Sequence, residues 1–175
     1  DLTVQYAGDT HFISTTSSIS THTVNSASTT TTVASSPNPS VYGQSVTLTA
    51  SVTVDSPGAG TASGTVTFYD GTTSLGTATL SGGSASLSTS ALAYGSHSLT
   101  AVYGGSPSIS AGTEFTGSTS SASSHAVNQA TATASVSSSP NPSKVGQSVT
   151  ISATVAAVSP GAGTPSGDEI GRAHV

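Results

Sequence analysis

The sequence predicts an all-β fold, an antiparallel β-sandwich of about seven strands that is repeated in tandem. Three observations support this prediction. Ser (38) and Thr (30) make up about two-fifths of the 175 residues, while charged residues make up only 5%, and Thr favours strands because it is branched at Cβ. Apolar and hydroxyl residues alternate, as in strands with one buried face. A long segment also recurs 103 residues later.

The recurring segment defines the organisation of the chain. Residues 36–64 and 139–167 are identical at 20 of 29 positions, which indicates one structural unit copied in tandem. Residues 2–8 resemble 99–105 at an offset of 97, and 22–25 resemble 125–128 at an offset of 103. The difference predicts six extra loop residues between Gly105 and Ser120.

Four segments follow from this comparison. Residues 1–25 are predicted to be the C-terminal part of a preceding repeat, 26–128 a complete repeat, and 129–167 the N-terminal part of a following repeat. Residues 168–175 are predicted to be a non-native tail. We expect the two partial repeats to form exposed or poorly packed hairpins, since they lack partner strands.

The first half of the complete repeat contains four predicted strands. A Thr-rich strand covers 29–35 and is interrupted at 37–39, because Pro cannot donate a ladder hydrogen bond. A second strand alternates strictly from 46 to 54. A third contains Val66 and Phe68 and ends at an Asp70-Gly71 hairpin turn. The fourth covers 73–80, where Gly76 indicates a bulge.

The second half contains three further strands. A short strand carries Ala85 and Leu87, and the next places Leu99, Ala101 and Tyr103 inward. The last strand covers about 120–128. Tyr94 lies at the corner before the sixth strand, and the sequence predicts either a tyrosine-corner hydrogen bond or a half-buried ring there.

Four runs of the central repeat, 36–40, 43–50, 64–71 and 95–103, resemble the bacterial Ig-like repeat domains, most closely the group 3 type. The resemblance covers 1–167 and implies an Ig-like sandwich, arranged in arrays in large exported or surface-attached proteins. Family members carry Gly-Asp-Ser-Asn-Phe or a similar run after the sixth strand. Residues 6–12 keep that form, whereas in the central repeat Ser106 replaces the Asp and Ile109 the aromatic residue.

The similarity between copies stops after Gly167. Residues 169–175, Glu-Ile-Gly-Arg-Ala-His-Val, can be encoded by GAG ATC GGA AGA GCA CAC GTC, which resembles a common sequencing-adapter oligonucleotide in all but its first base. We therefore interpret the tail as translated adapter sequence; the alternative is a divergent loop. Resequencing the source locus distinguishes them.

Composition excludes several classes of function. The chain has no cysteine, so disulfides and thiolate metal sites are excluded. Lys144 and Arg172 are the only cations and the net charge is −5, so nucleic-acid binding is not expected. No apolar run approaches the length of about 18 residues that would span a membrane, so no membrane insertion of this segment is expected.

No arrangement of catalytic, cofactor-binding or metal-ligating residues is recognisable, and none is predicted. Asp70 is interpreted as a turn residue, and Asp55 and Glu114 as solvated loop residues. His97 and His125 lie on strands expected to be neighbours, but two histidines without a nearby carboxylate are a poor metal site. Calcium is not expected at 125–132, which lacks carboxylates, and is unsupported near Asp9.

The sequence therefore predicts a non-catalytic structural repeat without cofactor, acting as a spacer or stalk in a bacterial extracellular or cell-surface protein. Its partners would be neighbouring Ig-like repeats, with adhesion to host or matrix glycans or proteins as a further role. The alternative is a carbohydrate- or protein-binding accessory module of a secreted polysaccharide-active enzyme. Sugar binding favours exposed aromatic residues, for which Tyr42, Tyr69 and Phe115 are the candidates.

Overall fold

The computed structural model of the chain describes residues 1–106 and 115–168. Glu114, Ile109 and residues 169–175 lie outside these ranges. The described residues form only strands and irregular segments. In chain order the strands are β1 (Gln5–Tyr6), β2 (Thr15–Thr16), β3 (Thr29–Ser36), β4 (Ser40–Val41), β5 (Val46–Val54), β6 (Thr65–Asp70), β7 (Thr73–Thr79), β8 (Ser84–Thr89), β9 (Gly95–Tyr103), β10 (Ser118–Thr119), β11 (Ser123–Asn128), β12 (Ala132–Ser139) and β13 (Thr150–Ala157).

Residues 26–128, called the central segment below, form a two-sheet sandwich. One sheet has the order β3-β5-β8, and the other has the order β4-β11-β9-β6-β7 with β10 paired to β9. All strand pairings are antiparallel except β4 with β11, which is parallel, and the isolated bridge between Ala27 and Phe115 is also parallel. The predicted all-β, Ig-like sandwich is therefore confirmed, with parallel pairing that the sequence did not indicate.

The core lies between the two sheets and follows the alternation of apolar residues. Along β5 the inward side chains are buried and the outward Thr and Ser are mostly exposed. A fully buried Val or Leu side chain stabilises the fold by about 1.5–3 kcal/mol relative to an exposed one. The buried apolar residues are Val46, Leu48, Ala50, Val52, Ala62, Val66, Phe68, Leu80, Ala85, Leu92, Leu99, Ala101, Tyr103, Phe115 and Val127.

The segment at 37–39 is where the first strand changes sheets. Before it, β3 pairs with β5 in one sheet; after it, β4 pairs with β11 in the other. Pro37 and Pro39 cannot continue a ladder, so the chain leaves the first sheet at this point. The last predicted strand is also interrupted, into β10 and β11, but both parts pair with β9 and stay in the same sheet.

The bulge predicted around Gly76 is present. The register of β6 and β7 shifts between Phe68, which pairs with Gly76, and Tyr69, which pairs with Ser74. Leu75 is therefore the extra residue. The turn between β6 and β7 contains Gly71, which has φ of +56°. Glycine adopts this value at little steric cost.

The N-terminal segment (residues 1–25) and the C-terminal segment (residues 129–168) each form a two-stranded antiparallel sheet. Most of their side chains are exposed, as expected for hairpins without partner strands. The register of β12 with β13, Ala132↔Ala157 to Ser139↔Thr150, equals that of β3 with β5 shifted by 103 residues.

The N-terminal hairpin likewise has the pairing of β9 with β10 and β11. Its partners Leu2↔Ser20 and Tyr6↔Thr15 correspond to Leu99↔Ser123 and Tyr103↔Ser118 in the central segment. The six-residue difference in offset is therefore taken up between β9 and β10, where the sequence predicted extra loop residues.

Several sequence-based expectations differ from the structure. Tyr94 is neither half-buried nor placed like a corner tyrosine, because 64% of it is exposed. The tyrosine that bonds to a distant carbonyl is Tyr103, whose hydroxyl donates to the Ser63 carbonyl at 2.7 Å. The second difference concerns Phe115, described below with the turn that contains it.

Candidate functional site

Several polar side chains of the central segment surround one histidine pair. His97 on β9 and His125 on β11 are direct antiparallel partners, and their ring centroids lie 6.5 Å apart. Proximity of these two histidines was expected from the sequence. The carboxylate beside them was not, since Asp70 was interpreted as a turn residue alone.

Asp70 ends β6 and points its carboxylate at the neighbouring strand β9. Its Oδ2 lies 2.7 Å from Nδ1 of His97, and its Oδ1 accepts a hydrogen bond from the backbone amide of Ser98 at 3.2 Å. The turn position remains correct, because Asp70 pairs with Thr73 across the hairpin. Asp70 therefore has a second role, as the ion-pair partner of His97.

Both ring nitrogens of His97 face acceptors. Nε2 lies 2.8 Å from the carbonyl of Ala93, and Nδ1 faces Asp70; only the imidazolium can donate to both. Partial burial by itself would lower the pKa of His97, but the hydrogen bond to Ala93 and the hydrogen bond and charge of Asp70 together raise it.

His125 is fully buried between the two sheets. Its Nδ1 lies 2.9 Å from Oγ of Ser35, and its Nε2 lies 2.9 Å from Oγ of Ser40. A hydroxyl can donate or accept, so the neutral ring satisfies both contacts in either tautomer. Burial, followed by the charge of His97, lowers the pKa of His125, and Asp70 opposes this only in part.

This arrangement is structural. A Ser-His-Asp triad needs the carboxylate on the histidine that faces the serine, whereas here Asp70 contacts His97 and the serines contact His125. Each ring nitrogen is already bonded, and Ser40 and His125 are buried, so no nitrogen is presented to a substrate. Within residues 1–106 and 115–168, no three His, Cys, Asp or Glu side chains are placed to hold a metal ion.

A second polar feature is the turn that contains Asp9. Its Oδ1 accepts from the amides of His11 (2.7 Å) and Phe12 (2.9 Å), and its Oδ2 accepts from the Tyr6 hydroxyl. These three bonds, that to His11 first, lower the pKa of Asp9. The bond to Asp9 in turn raises the pKa of Tyr6.

In the central segment, Ser106 occupies the position that corresponds to Asp9 in the N-terminal segment. Its Oγ accepts from the amide of Phe115 at 2.9 Å, and its own amide donates to the Phe115 carbonyl at 3.2 Å. Asp9 and Phe12 exchange the same two bonds. The replacement of Asp by Ser is therefore confirmed, but the assignment of Ile109 to the aromatic position is wrong. Phe115 occupies it, because the extra residues precede it.

A backbone hydrogen bond and a close glycine contact connect the central segment to the C-terminal segment. The amide of Tyr42 donates to the Asn128 carbonyl at 2.8 Å, and the amide of Ala162 donates to the Tyr42 carbonyl at 3.2 Å. Gly43 has φ of +79°, and a Cβ placed on it would lie 2.4 Å from the carbonyl oxygen of Ala162. Only three residues, 129–131, separate β11 from β12.

One close contact beside this junction, between a loop glycine and an alanine, has a counterpart in the central segment. A Cβ on Gly161 would lie 2.5 Å from Cβ of Ala130, and a Cβ on Gly58 would lie 2.5 Å from Cβ of Ala27. The two pairs are related by the 103-residue offset. Gly58 and Gly161 leave no room for a side chain, because each loop passes directly over the alanine, Ala27 or Ala130, that precedes the first strand of its segment.

Of the aromatic residues considered for sugar binding, Phe115 is excluded as an exposed platform because it is buried. Tyr69 is half-buried, and Tyr42 is exposed. Tyr42 and the exposed Tyr94 both line a cleft of about 450 Å³ beside the junction, together with residues 129–132, 157 and 162–165. Sequence patterns could not place Tyr94 there, since the cleft depends on how the C-terminal segment packs.

Two acidic residues remain. Asp55 is half-buried and accepts a hydrogen bond from the Thr30 hydroxyl at 2.9 Å, so it is not the freely solvated residue expected. Glu114 lies outside the described residues.

The part of the chain that the structure describes has no helix long and apolar enough to cross a membrane.

Comparison with known proteins agrees with this fold. The family model described as "Bacterial Ig-like domain (group 3)" matches residues 31–128, more than half of the chain. No curated protein and no solved structure matches the chain.

Proposed function

The chain belongs to the family of bacterial Ig-like domains of group 3, and from this premise we propose that it is a spacer or stalk segment of an extracellular or cell-surface bacterial protein. Domains of this family are generally non-catalytic modules of exported proteins. In the proposed role, each unit holds the next at a defined distance and orientation, and the function is mechanical. A contribution to adhesion belongs to the same proposal.

The observation that carries this proposal is the junction at Tyr42, Gly43 and Ala162. A linker of three residues with one backbone hydrogen bond across the junction restricts bending. Gly43 and Ala162 approach too closely to admit a side chain. A flexible tether would need neither the hydrogen bond nor the glycine.

The tandem organisation, 1–25, 26–128 and 129–167, is part of the proposal. It is supported by the registers of the flanking hairpins, which equal those of the central segment under offsets of 97 and 103 residues. Hairpin registers are set by side-chain patterning and turns, so equal registers are expected of copies of one unit.

The surface composition also suits an exposed spacer. Hydroxyl side chains cover the outward faces of the strands, and charged residues make up only 5% of the chain. Few surface ion pairs are therefore available to be screened by salt.

Small-angle X-ray scattering on three tandem copies of residues 26–128 tests the spacer function. With strands of about 10 residues at about 3.3 Å each, a unit adds roughly 35 Å, so the maximum dimension should grow by that amount per copy. A compact particle, or a dimension that grows as the square root of copy number, would contradict the proposal.

A second candidate function is carbohydrate binding, favoured by the two exposed tyrosines in the junction cleft. Aromatic faces pack against the apolar faces of sugar rings. A glycan array probed with the chain should show binding that Tyr42→Ala and Tyr94→Ala each abolish, while Tyr69→Ala, outside the cleft, leaves it intact. Absence of binding would leave the spacer function as the sole candidate.

A further inference from the structure

The turn between β6 and β7 contains the only Asp-Gly pair of the chain, Asp70-Gly71. In such a pair the backbone nitrogen of the glycine can attack the carboxyl carbon of the aspartate, because glycine has no side chain to hinder the approach. The new C–N bond closes a succinimide ring, and one carboxyl oxygen leaves as water with the proton of the amide. This turn is therefore a place where the backbone can rearrange without an enzyme.

Hydrolysis of the ring completes the reaction and needs neither an oxidant nor a cofactor. Water that adds to the former side-chain carbonyl breaks its bond to the Gly71 nitrogen and restores aspartate. Water that adds to the main-chain carbonyl of Asp70 breaks the original peptide bond, so the chain now continues through the side chain as isoaspartate. One water leaves and one is added, so isoaspartate has the mass of aspartate but one more carbon in the main chain.

In the folded chain, strand β9 holds both reacting groups. The Gly71 amide, which would be the nucleophile, donates to the Ser98 carbonyl at 3.0 Å. On the carboxylate of Asp70, Oδ2 lies 2.7 Å from Nδ1 of His97, and Oδ1 accepts from the Ser98 amide at 3.2 Å. Ring closure requires the nitrogen and the carboxyl carbon to reach a reactive geometry, and these bonds keep each group on a different partner.

Hydrogen bonds, and not crowding at the glycine, restrain this pair. Nothing lies within 4 Å of a Cβ placed on Gly71. His97 is itself fixed, because its Nε2 lies 2.8 Å from the Ala93 carbonyl. Only 10% of the His97 side chain and 27% of the Asp70 side chain are exposed. The direct pairing of Asp70 with Leu99 keeps the end of β6 beside β9.

We propose that Asp70-Gly71 is an isoaspartate-forming site, and that His97 and Ser98 suppress the reaction by holding the carboxylate and the glycine amide. The site reacts when the end of β6 separates from β9, so the modification marks chains in which this hairpin has opened. Isoaspartate carries its carboxylate on a lengthened main chain, which removes the contact with His97. This inference does not depend on the spacer function.

Peptide mapping of the aged full chain tests whether the site exists. After long incubation at neutral pH, chromatography and electron-transfer fragmentation distinguish peptides with aspartate from those with isoaspartate at position 70. Isoaspartate should accumulate in urea and should be strongly reduced there by Gly71→Ala, whose methyl group hinders the attacking nitrogen. In the folded chain the rate should be lower by about a hundredfold. No isoaspartate in urea, or equal rates in the folded and unfolded chain, overturns the proposal.

Substitution of His97 tests how the reaction is suppressed. His97→Ala should raise the rate in the folded chain about tenfold, since one of the bonds that hold the carboxylate is lost. His97→Asn, whose amide can still donate to Asp70, should react more slowly than His97→Ala. Phe115→Ala is the matched control, because it weakens the core without touching the hairpin. If Phe115→Ala accelerates the reaction as much as His97→Ala does, the reaction follows global unfolding and the proposed role of His97 is wrong.

Discussion

The imidazoles of His97 and His125 lie on directly paired residues with ring centroids 6.5 Å apart, yet their surroundings shift their pKa values in opposite directions. His97 donates to Asp70 and to the Ala93 carbonyl, which favours the imidazolium. His125 is buried between two serine hydroxyls, which suit the neutral ring. These surroundings therefore favour a charged His97 beside Asp70 and a neutral His125.

The first prediction concerns these two pKa values. We expect histidine titration by NMR to give His97 a pKa above the ordinary value of about 6.5 and His125 one below it. Asp70→Asn should lower the pKa of His97, because it removes the carboxylate. Titration of both rings near 6.5, or in the reverse order, would contradict the assignment.

The pH dependence of stability follows from the same ion pair. Because the folded-state pKa of His97 is raised, its contribution is fully present below the unfolded pKa of about 6.5 and is lost as pH rises through the folded pKa. Asp70→Asn should therefore destabilise the chain by about 1–2 kcal/mol at pH 5.5 and by less at pH 9. Urea denaturation at the two pH values measures this; an equal loss at both would argue against the ion pair.

The lowered pKa of His125 acts in the opposite sense. Its neutral ring contributes stability above the unfolded pKa of about 6.5, and that contribution is lost as pH falls towards the folded pKa.

We expect His125→Ala to lower the free energy of unfolding by about 2–4 kcal/mol at pH 7, since it leaves a cavity and two unpaired hydroxyls.

His22→Ala is the matched control for His125→Ala. His22 occupies the same repeat position but is exposed, so in dilute solution its replacement should change stability by less than about 0.5 kcal/mol. Equal effects of the two substitutions in urea denaturation would contradict the burial of His125.

The junction gives a prediction with an internal control. Gly43→Ala and Gly146→Ala each place alanine at a φ near +80°, which costs about 1–2 kcal/mol. Only at Gly43 would the added Cβ also collide with Ala162, since nothing lies within 4 Å of a Cβ on Gly146. Gly43→Ala alone should therefore loosen the junction.

Spin-label distances measure this change. With cysteines introduced for labelling at Ser90 and Thr154, both exposed, the distance distribution should broaden with Gly43→Ala and stay narrow with Gly146→Ala. A distribution that is already broad in the unsubstituted chain would show that the junction does not hold an orientation, and would count against the spacer function.

The last prediction separates a core residue from a sugar-binding platform. Phe115 is 7% exposed, so Phe115→Ala should destabilise the chain by about 3–5 kcal/mol. Phe12 makes the same backbone contacts with Asp9 that Phe115 makes with Ser106, but it is 68% exposed. Phe12→Ala should therefore cost little; a small effect at Phe115 as well would contradict its place in the core.

Local pattern was sufficient for most of the fold. The alternation from Val46 to Val54 determined which side chains of β5 are buried, and Gly76 marked the bulge opposite β6. The repeat of residues 36–64 determined the offset at which the flanking hairpins keep the same register. These features depend on side-chain direction and turn geometry within a few residues, which the sequence contains.

Contacts between distant residues were decided only by the tertiary structure. The sequence placed His97 and His125 on neighbouring strands but did not place Asp70 beside one and Ser35 and Ser40 around the other. The assignment of Ile109 to the aromatic position was wrong because an insertion can be absorbed at several places in a loop, and only the bonds of Ser106 to Phe115 show where it ends. Spacing along a chain determines which face a side chain occupies, whereas its partners depend on how separate strands and sheets are brought together, and in this chain those contacts join residues tens of positions apart.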